Sequence, residues 1–300
     1  MSRRSPSARE LECDSWSDLL KGLDLARSKL DLRDGEIMWF RGSQDRRYAL
    51  TPSLMRLTEG LVRSDHDGIE QNLFFEFQAR AAELRAQGLT DWEYLFYGRH
   101  YGVPTRLLDW TDTFGIALYF ALETWASRLT EVGNPQQEKV RLPAIWVLAP
   151  YALNSWSWKY RDIILPKYLG LDGEQEYWDF GELLAASGNW AWDNPVAIYP
   201  AQINDRVRAQ RGWFTIHGND RSPLEVQAPR YLLKLVLQPK CISEALNFLE
   251  LAGLHRFSIY PDLDNLAAWI RQGNLAWANT RRAHRPHRSV AENRGRHADP

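Results

Sequence analysis

Three hundred residues, 44% hydrophobic and 25% charged, suffice for one large domain or two modest ones and fall within the range of soluble globular chains. A formal net charge of -1 excludes a surface coated in positive charge, so any nucleic-acid contact is expected to be local. Two cysteines, Cys13 and Cys241, exclude a disulfide framework and have no metal-ligand spacing; with no secretory signal and no apolar run of the ~18 residues a membrane helix needs, the expectation is a cytoplasmic protein with no metal and no membrane contact.

"MSRRSPSARE" reads as part of a flexible polar leader over residues 1–12. "SWSDLLKGLDLARSKL" spaces Leu19, Leu20, Leu23 and Leu30 for a helix, with Ser15 or Ser17 as its cap. "GEIMWFRG" is short, apolar and aromatic between two glycines, the pattern of a buried strand. "YALTPSLMR" reads as a turn-rich connection around Pro52. A helix over 69–88 places Leu73, Phe77, Ala81 and Leu84 on one face, pairs Glu76 with Arg80, and ends at Gly88. Thr90 and Glu93 have the spacing of a capping box and open another helix toward His100.

"HYGVPTRLLDWTDTFGIALYFALE" (100–123) begins as a polar loop and ends as an apolar helix. Phe114, Leu118, Ala121, Trp125 and Leu129 give that helix a continuous stripe, with Thr111 or Asp112 as its cap. A polar loop over 131–141 leads to "AIWVLAP", a strand. Residues 151–200 give mixed signals and support no assignment. "GWFTIHG" and "YLLKLVLQP" read as strands, "SEALNFLELAGL" as a helix capped by Ser243, and "FSIYPDLDNLAAWIRQG" as strand, turn and a short helix capped by Asp264. The end, "RRAHRPHRSVAENRGRHADP", reads as a disordered basic tail over 280–300: either a solvated extension or a loose arm for a polyanion. Helices and short strands alternate without βαβ periodicity, so a single α+β domain is expected over 13–279, with its core at about 36–270.

Three pieces can carry chemistry. Arg41, behind Trp39 and Phe40, needs a partner if its strand is buried: an internal carboxylate or an anionic ligand. Gly42 allows a ligand or another backbone to approach. In the 100–111 stretch, His100, Thr105, Arg106, Asp109 and Thr111 stand before a helix start whose N–H groups favour an anion; a scaffold in which Asp109 pairs with Arg106 explains the same residues. In "RVRAQRGWFTIHG", Arg206 and Arg208 have the spacing of one strand face, and Gly212 suggests a bulge or a close ligand. Phosphate-loop, zinc-protease, nucleophile-elbow and paired-cysteine motifs are absent.

Together "WFRGSQ", "LTPSLMR", "HYGVPTRLLDWTDTFGIALYFALE", "RVRAQRGWFTIHG" and "GLHRFSIYPDLDNLAAWI" resemble the FRG domain family, named for its Phe-Arg-Gly tripeptide and met in bacterial phage-defence and toxin-like settings. A weaker resemblance is to the ADP-ribosyltransferases, through an arginine closing an early strand, a polar stretch opening a helix, and a late polar strand. That resemblance implies a mixed, partly split β-sheet flanked by helices around an ADP-ribosyltransferase-like core, with NAD as substrate and no metal. Arg41, Asp109 and Gln210 would act on NAD. Gly42, His100, Tyr101, Thr105, Arg106, Thr111 and Gly212, together with Arg41, would bind it. Gln210 stands where the family has a glutamate, so the carboxylate that steadies the ribosyl cation would come from Asp109, Glu70 or Glu225. The implied partners are a nucleotide, a nucleic-acid or protein acceptor, and proteins of a defence or toxin–antitoxin system. Alternative functions are a non-catalytic nucleotide or nucleic-acid sensor and a NAD glycohydrolase.

Overall fold

A computed structural model describes residues 8–84, 88–125, 141–169, 179–185, 192–200, 205–271 and 274. Seven strands form one sheet: β1 (Arg9–Cys13), β2 (Trp39–Ser43), β3 (Leu107–Thr111), β4 (Ala144–Leu148), β5 (Val196–Ile198), β6 (Gly212–Ile216) and β7 (Leu232–Leu237). Their spatial order is β1-β7-β4-β2-β3-β6-β5. β1 runs parallel to β7, and every other neighbouring pair is antiparallel, so the sheet is mixed and the fold α+β.

The sheet is nearly parted at its centre. β2 pairs with β4 along its whole length and β3 pairs with β6 along its own, but β2 meets β3 only at Phe40 and Thr111. Past that point a side chain replaces the ladder: the Arg41 guanidinium donates to the Asp109 carbonyl at 2.6 Å and satisfies a backbone acceptor that no strand reaches.

Of the helices, α1 (Trp16–Lys29) is capped by Ser15, whose hydroxyl accepts from the Asp18 N–H at 3.2 Å. α2 (Ser53–Leu57) replaces the expected turn after Pro52, whose fixed φ suits a helix start. α3 (Arg63–Leu84) begins before the expected start. The Glu76–Arg80 pair forms, but Leu84 is 89% exposed rather than part of the buried face. α4 (Asp91–His100) opens with the capping box of Thr90 and Glu93. α5 (Phe114–Leu122) lies across β2, with Gly42 beneath it: a Cβ there would strike the Ala117 carbonyl and come within 2.5 Å of the Ala121 nitrogen. Gly42 therefore admits another backbone.

Several expected boundaries move. The loop expected at 100–113 contains β3, because Leu107, Leu108 and Trp110 are buried between neighbouring strands. α5 is preceded by Thr113 as N-cap, whose own side chain makes no cap bond, while the Thr111 hydroxyl accepts from the Thr113 N–H at 3.2 Å ahead of the helix; Leu129 lies outside the described residues. The unassigned middle supplies α6 (Pro150–Ser157), α7 (Phe180–Ala185) and β5. The expected strand of Arg206 and Arg208 is a helical turn, α8 (Asp205–Ala209), in which Arg208 pairs with Asp205; Gly212 then opens β6 opposite Thr111 without a bulge. A short α9 (Leu224–Gln227) precedes β7. α10 (Pro239–Leu251) starts ahead of Ser243, after Gln238. "RFSI" forms α11 (Arg256–Ile259), where a strand was expected. Asp262, not Asp264, accepts from the Asn265 N–H at 2.8 Å as the last helix begins. β1 takes in residues 9–12, which the sequence assigns to a leader, while the basic tail falls outside the described residues.

One apolar cluster packs α1, α5 and α10 on one side of the sheet, with Leu233, Leu235 and Leu237 of β7 in it. A second gathers α3, α4 and α7 against β3, β5 and β6. Among the described residues, no helix is long and apolar enough to cross a membrane.

Candidate functional site

Where β2 and β3 diverge, the sheet opens onto a cavity of about 890 Å³, a size typical of small-molecule sites. Arg41 and Gly42 reach it from β2, His100 from the end of α4, and Asp109 and Thr111 from β3. Gln210 and Gly212 close it from the α8–β6 connection. Three segments far apart in sequence thus share one hollow.

Asp109 is the hub of its floor. Arg99 donates to the carboxylate through Nε at 3.1 Å and through Nη2, and the Arg41 Nη1 lies 3.5 Å from it. Burial works to raise the Asp109 pKa, but the Arg99 charge and hydrogen bonds, followed by Arg41, outweigh it and hold the group at about 2. Arg99 is itself fixed from behind, donating to the Ser53 hydroxyl at 3.1 Å; that hydroxyl also accepts from the Thr105 N–H. The Thr111 hydroxyl donates to the Gln210 carbonyl at 2.8 Å and ties the end of β3 to the opposite wall, while the Gln210 amide donates to the Ile259 carbonyl at 3.3 Å. His100 is half-buried, and burial and then the Arg206 charge lower its pKa.

Other expected residues lie elsewhere. Arg106 is 1% exposed and forms a two-pronged pair with Glu70, also donating to the His217 carbonyl at 2.7 Å. It is therefore a structural cation, paired with Glu70 rather than with Asp109. Thr105 is buried away from the cavity, its hydroxyl 3.4 Å from the Leu107 N–H. Tyr101 is 64% exposed and stands edge-on to His100, outside the lining. The α5 N-terminus also faces elsewhere: Gly115 lies under Leu254, and only Phe120 of this helix reaches the cavity.

The sequence did not single out Arg56 of α2, Arg99 of α4, or Arg221, which also face the hollow together with Glu59 and Arg206. Arg99 follows Tyr97 and Gly98 near the end of α4, and its spacing carries no signal. Tyr48, Phe96, Phe120 and Phe214 supply flat or apolar wall beside these charges. Cationic forks next to aromatic faces can hold a ligand that joins phosphates to planar rings. Among the described residues, His66, Asp67 and Glu70 are close enough together for a metal, but Glu70 is committed to Arg106 and the His66 Nδ1 to the Thr58 hydroxyl at 2.7 Å.

No curated protein and no solved structure matches the chain. Residues 36–128 match the family model of the FRG domain; the matched stretch runs from just before β2 to just past α5 and carries Arg41, Arg99, His100, Asp109 and Thr111.

Proposed function

We propose that the cavity between β2 and β3 binds NAD and that the protein is an ADP-ribosyltransferase-like enzyme, acting in a reducing cytoplasm as a toxin or phage-defence effector. The observation that carries this reading is the meeting of Arg41, Asp109, Thr111 and Gln210 in one cationic cavity of nucleotide size. Arg41 holds a phosphate, His100 and Thr111 shape the wall, and Gln210 orients a ribose hydroxyl. In the reaction the bond between the ribose C1′ and the nicotinamide nitrogen breaks, and its electron pair leaves with nicotinamide. The ribosyl cation is captured by a nucleophile of the acceptor macromolecule, which then loses its proton.

A carboxylate near C1′ would stabilise that cation. Glu70 is used by Arg106, and Glu225 accepts from the Leu50 N–H at 3.0 Å; neither lines the cavity. Asp109 and Glu59 do. The charge of Asp109 is already countered by Arg99 and Arg41, and this favours a second reading, a sensor that binds the nucleotide without turnover.

The test is incubation with labelled NAD and cell lysate, wild type beside Arg41→Ala. Label transferred to a macromolecule, and lost in the variant, supports transfer; free ADP-ribose alone identifies a hydrolase. Saturable binding with no product identifies a sensor. Neither binding nor product from a folded sample overturns the proposal.

A further inference from the structure

The charges around the cavity do not balance. Arg41 and Arg99 share the single carboxylate of Asp109. Arg56, Arg206 and Arg221 face the same hollow, and among the described residues none has a carboxylate within ion-pairing distance. Their contacts are with neutral groups: Arg56 donates to the Thr51 carbonyl, Arg221 donates to the Leu61 carbonyl at 3.1 Å, and Arg206 lies 4.5 Å over the Tyr260 ring. These bonds satisfy donors without compensating charge. Five guanidinium groups against Asp109 and Glu59 leave a surplus of three positive charges around one concave space, and their mutual repulsion is uncompensated although solvent at the exposed Arg56 screens part of it. Consistently, burial and then the Arg99 charge lower the Arg56 pKa from its ordinary value, against the opposing pull of Asp109.

A ligand of matching charge removes that repulsion, and NAD is a poor match. Its pyrophosphate carries about two negative charges, and its nicotinamide ring offsets one of them, whereas a phosphomonoester adds about -1.5 to -2 at neutral pH. We propose that the cavity is selective for a nucleotide bearing a phosphomonoester in addition to its pyrophosphate. Arg41 and Arg99, oriented by Asp109, take the pyrophosphate; the cations without a carboxylate, Arg56 and Arg221 foremost, take the extra phosphate. The inference rests on the nucleotide-binding reading of this site and names its substrate class.

The test is calorimetric titration of the full chain with NAD, with its 2′-phosphate NADP, and with a 5′-phosphorylated oligonucleotide, using wild type, Arg56→Gln and Arg221→Gln. Wild type is expected to bind NADP about tenfold more tightly than NAD, and each variant to lose about fivefold for NADP while NAD stays within about twofold, because only the extra phosphate meets these charge-assisted donors. Equal affinities for the two dinucleotides overturn the proposal, as does a variant that weakens both alike, failure of both to bind, or binding of the oligonucleotide alone. Tight NADP binding without release of nicotinamide leaves this selectivity standing while removing the transferase reading.

Discussion

Arg99 grips the carboxylate of Asp109 with two donors, and Asp109 in turn sits 3.5 Å from Arg41. One carboxylate thus separates two arginines that would otherwise repel across the open seam of the sheet. Asp109→Asn keeps the size of the side chain but leaves both cations without a counter-charge. Because Asp109 is 41% exposed, solvent screens the loss, and the expected destabilisation is about 1 kcal/mol, well below that of a fully buried pair. Since the folded-state pKa lies below the ordinary carboxylate value, the pair's contribution is complete above about pH 4 and is lost as pH falls toward 2. Urea midpoints at pH 5 and pH 2.5 check both points: the gap between variant and wild type should narrow in acid.

Gly42 is set under α5, and the Phe-Arg-Gly tripeptide owes its last member to that crossing. In Gly42→Ala the new methyl meets the backbone of Ala117 and Ala121, not the end of a flexible side chain. Helix and strand must separate, at an expected cost of about 2–3 kcal/mol. Equilibrium unfolding measures it, and a loss below ~0.5 kcal/mol would show that α5 can yield at this point.

How much of this the sequence reveals depends on how local the determinant is. Thr90 and Glu93 cap a helix through their own three-residue spacing, and β7 alternates Leu233, Leu235 and Leu237 toward one apolar cluster, so both are legible. Arg41, Asp109 and Gln210 do line one cavity, but the expectation of their meeting comes from the family resemblance of the motifs that hold them and not from their local spacing. β3 is hidden: its two leucines stand among polar residues, and only pairing with β6 makes Leu107–Thr111 extended. The role of Arg106 is hidden for a related reason. Its partner Glu70 lies 36 positions earlier, on the same helix face as Phe77 and Ala81, and no local spacing links the two charges. Arg56, Arg99 and Arg221 escape because a cavity formed by tertiary packing leaves no trace in local spacing.

The Arg106–Glu70 pair is almost fully enclosed, at 1% and 4% exposure. Removing one partner strands a charge where water cannot reach it. Glu70→Ala is expected to destabilise the domain by about 3–5 kcal/mol, while the apolar double replacement Glu70→Leu with Arg106→Met should recover most of that loss. Chemical denaturation of the two variants decides the matter; a double variant no better than the single one would mean that the Arg106 bond to the His217 carbonyl is the larger contribution.

Acid should weaken the fold well before Asp109 titrates. His66 is 3% exposed, and burial, then the charge of Arg106, push its pKa down to about 4, so it stays neutral in the folded protein. The unfolded chain protonates the same imidazole near pH 6.5. Stability from this group is therefore complete above that pH and declines as pH falls to about 4, where the folded form also begins to take the proton. A shift of this size corresponds to roughly 3 kcal/mol across the window. His66→Gln can retain a polar contact to the Thr58 hydroxyl but cannot titrate. Its stability should change less than that of wild type between pH 7 and pH 4, and parallel pH curves for the two proteins would refute the assignment.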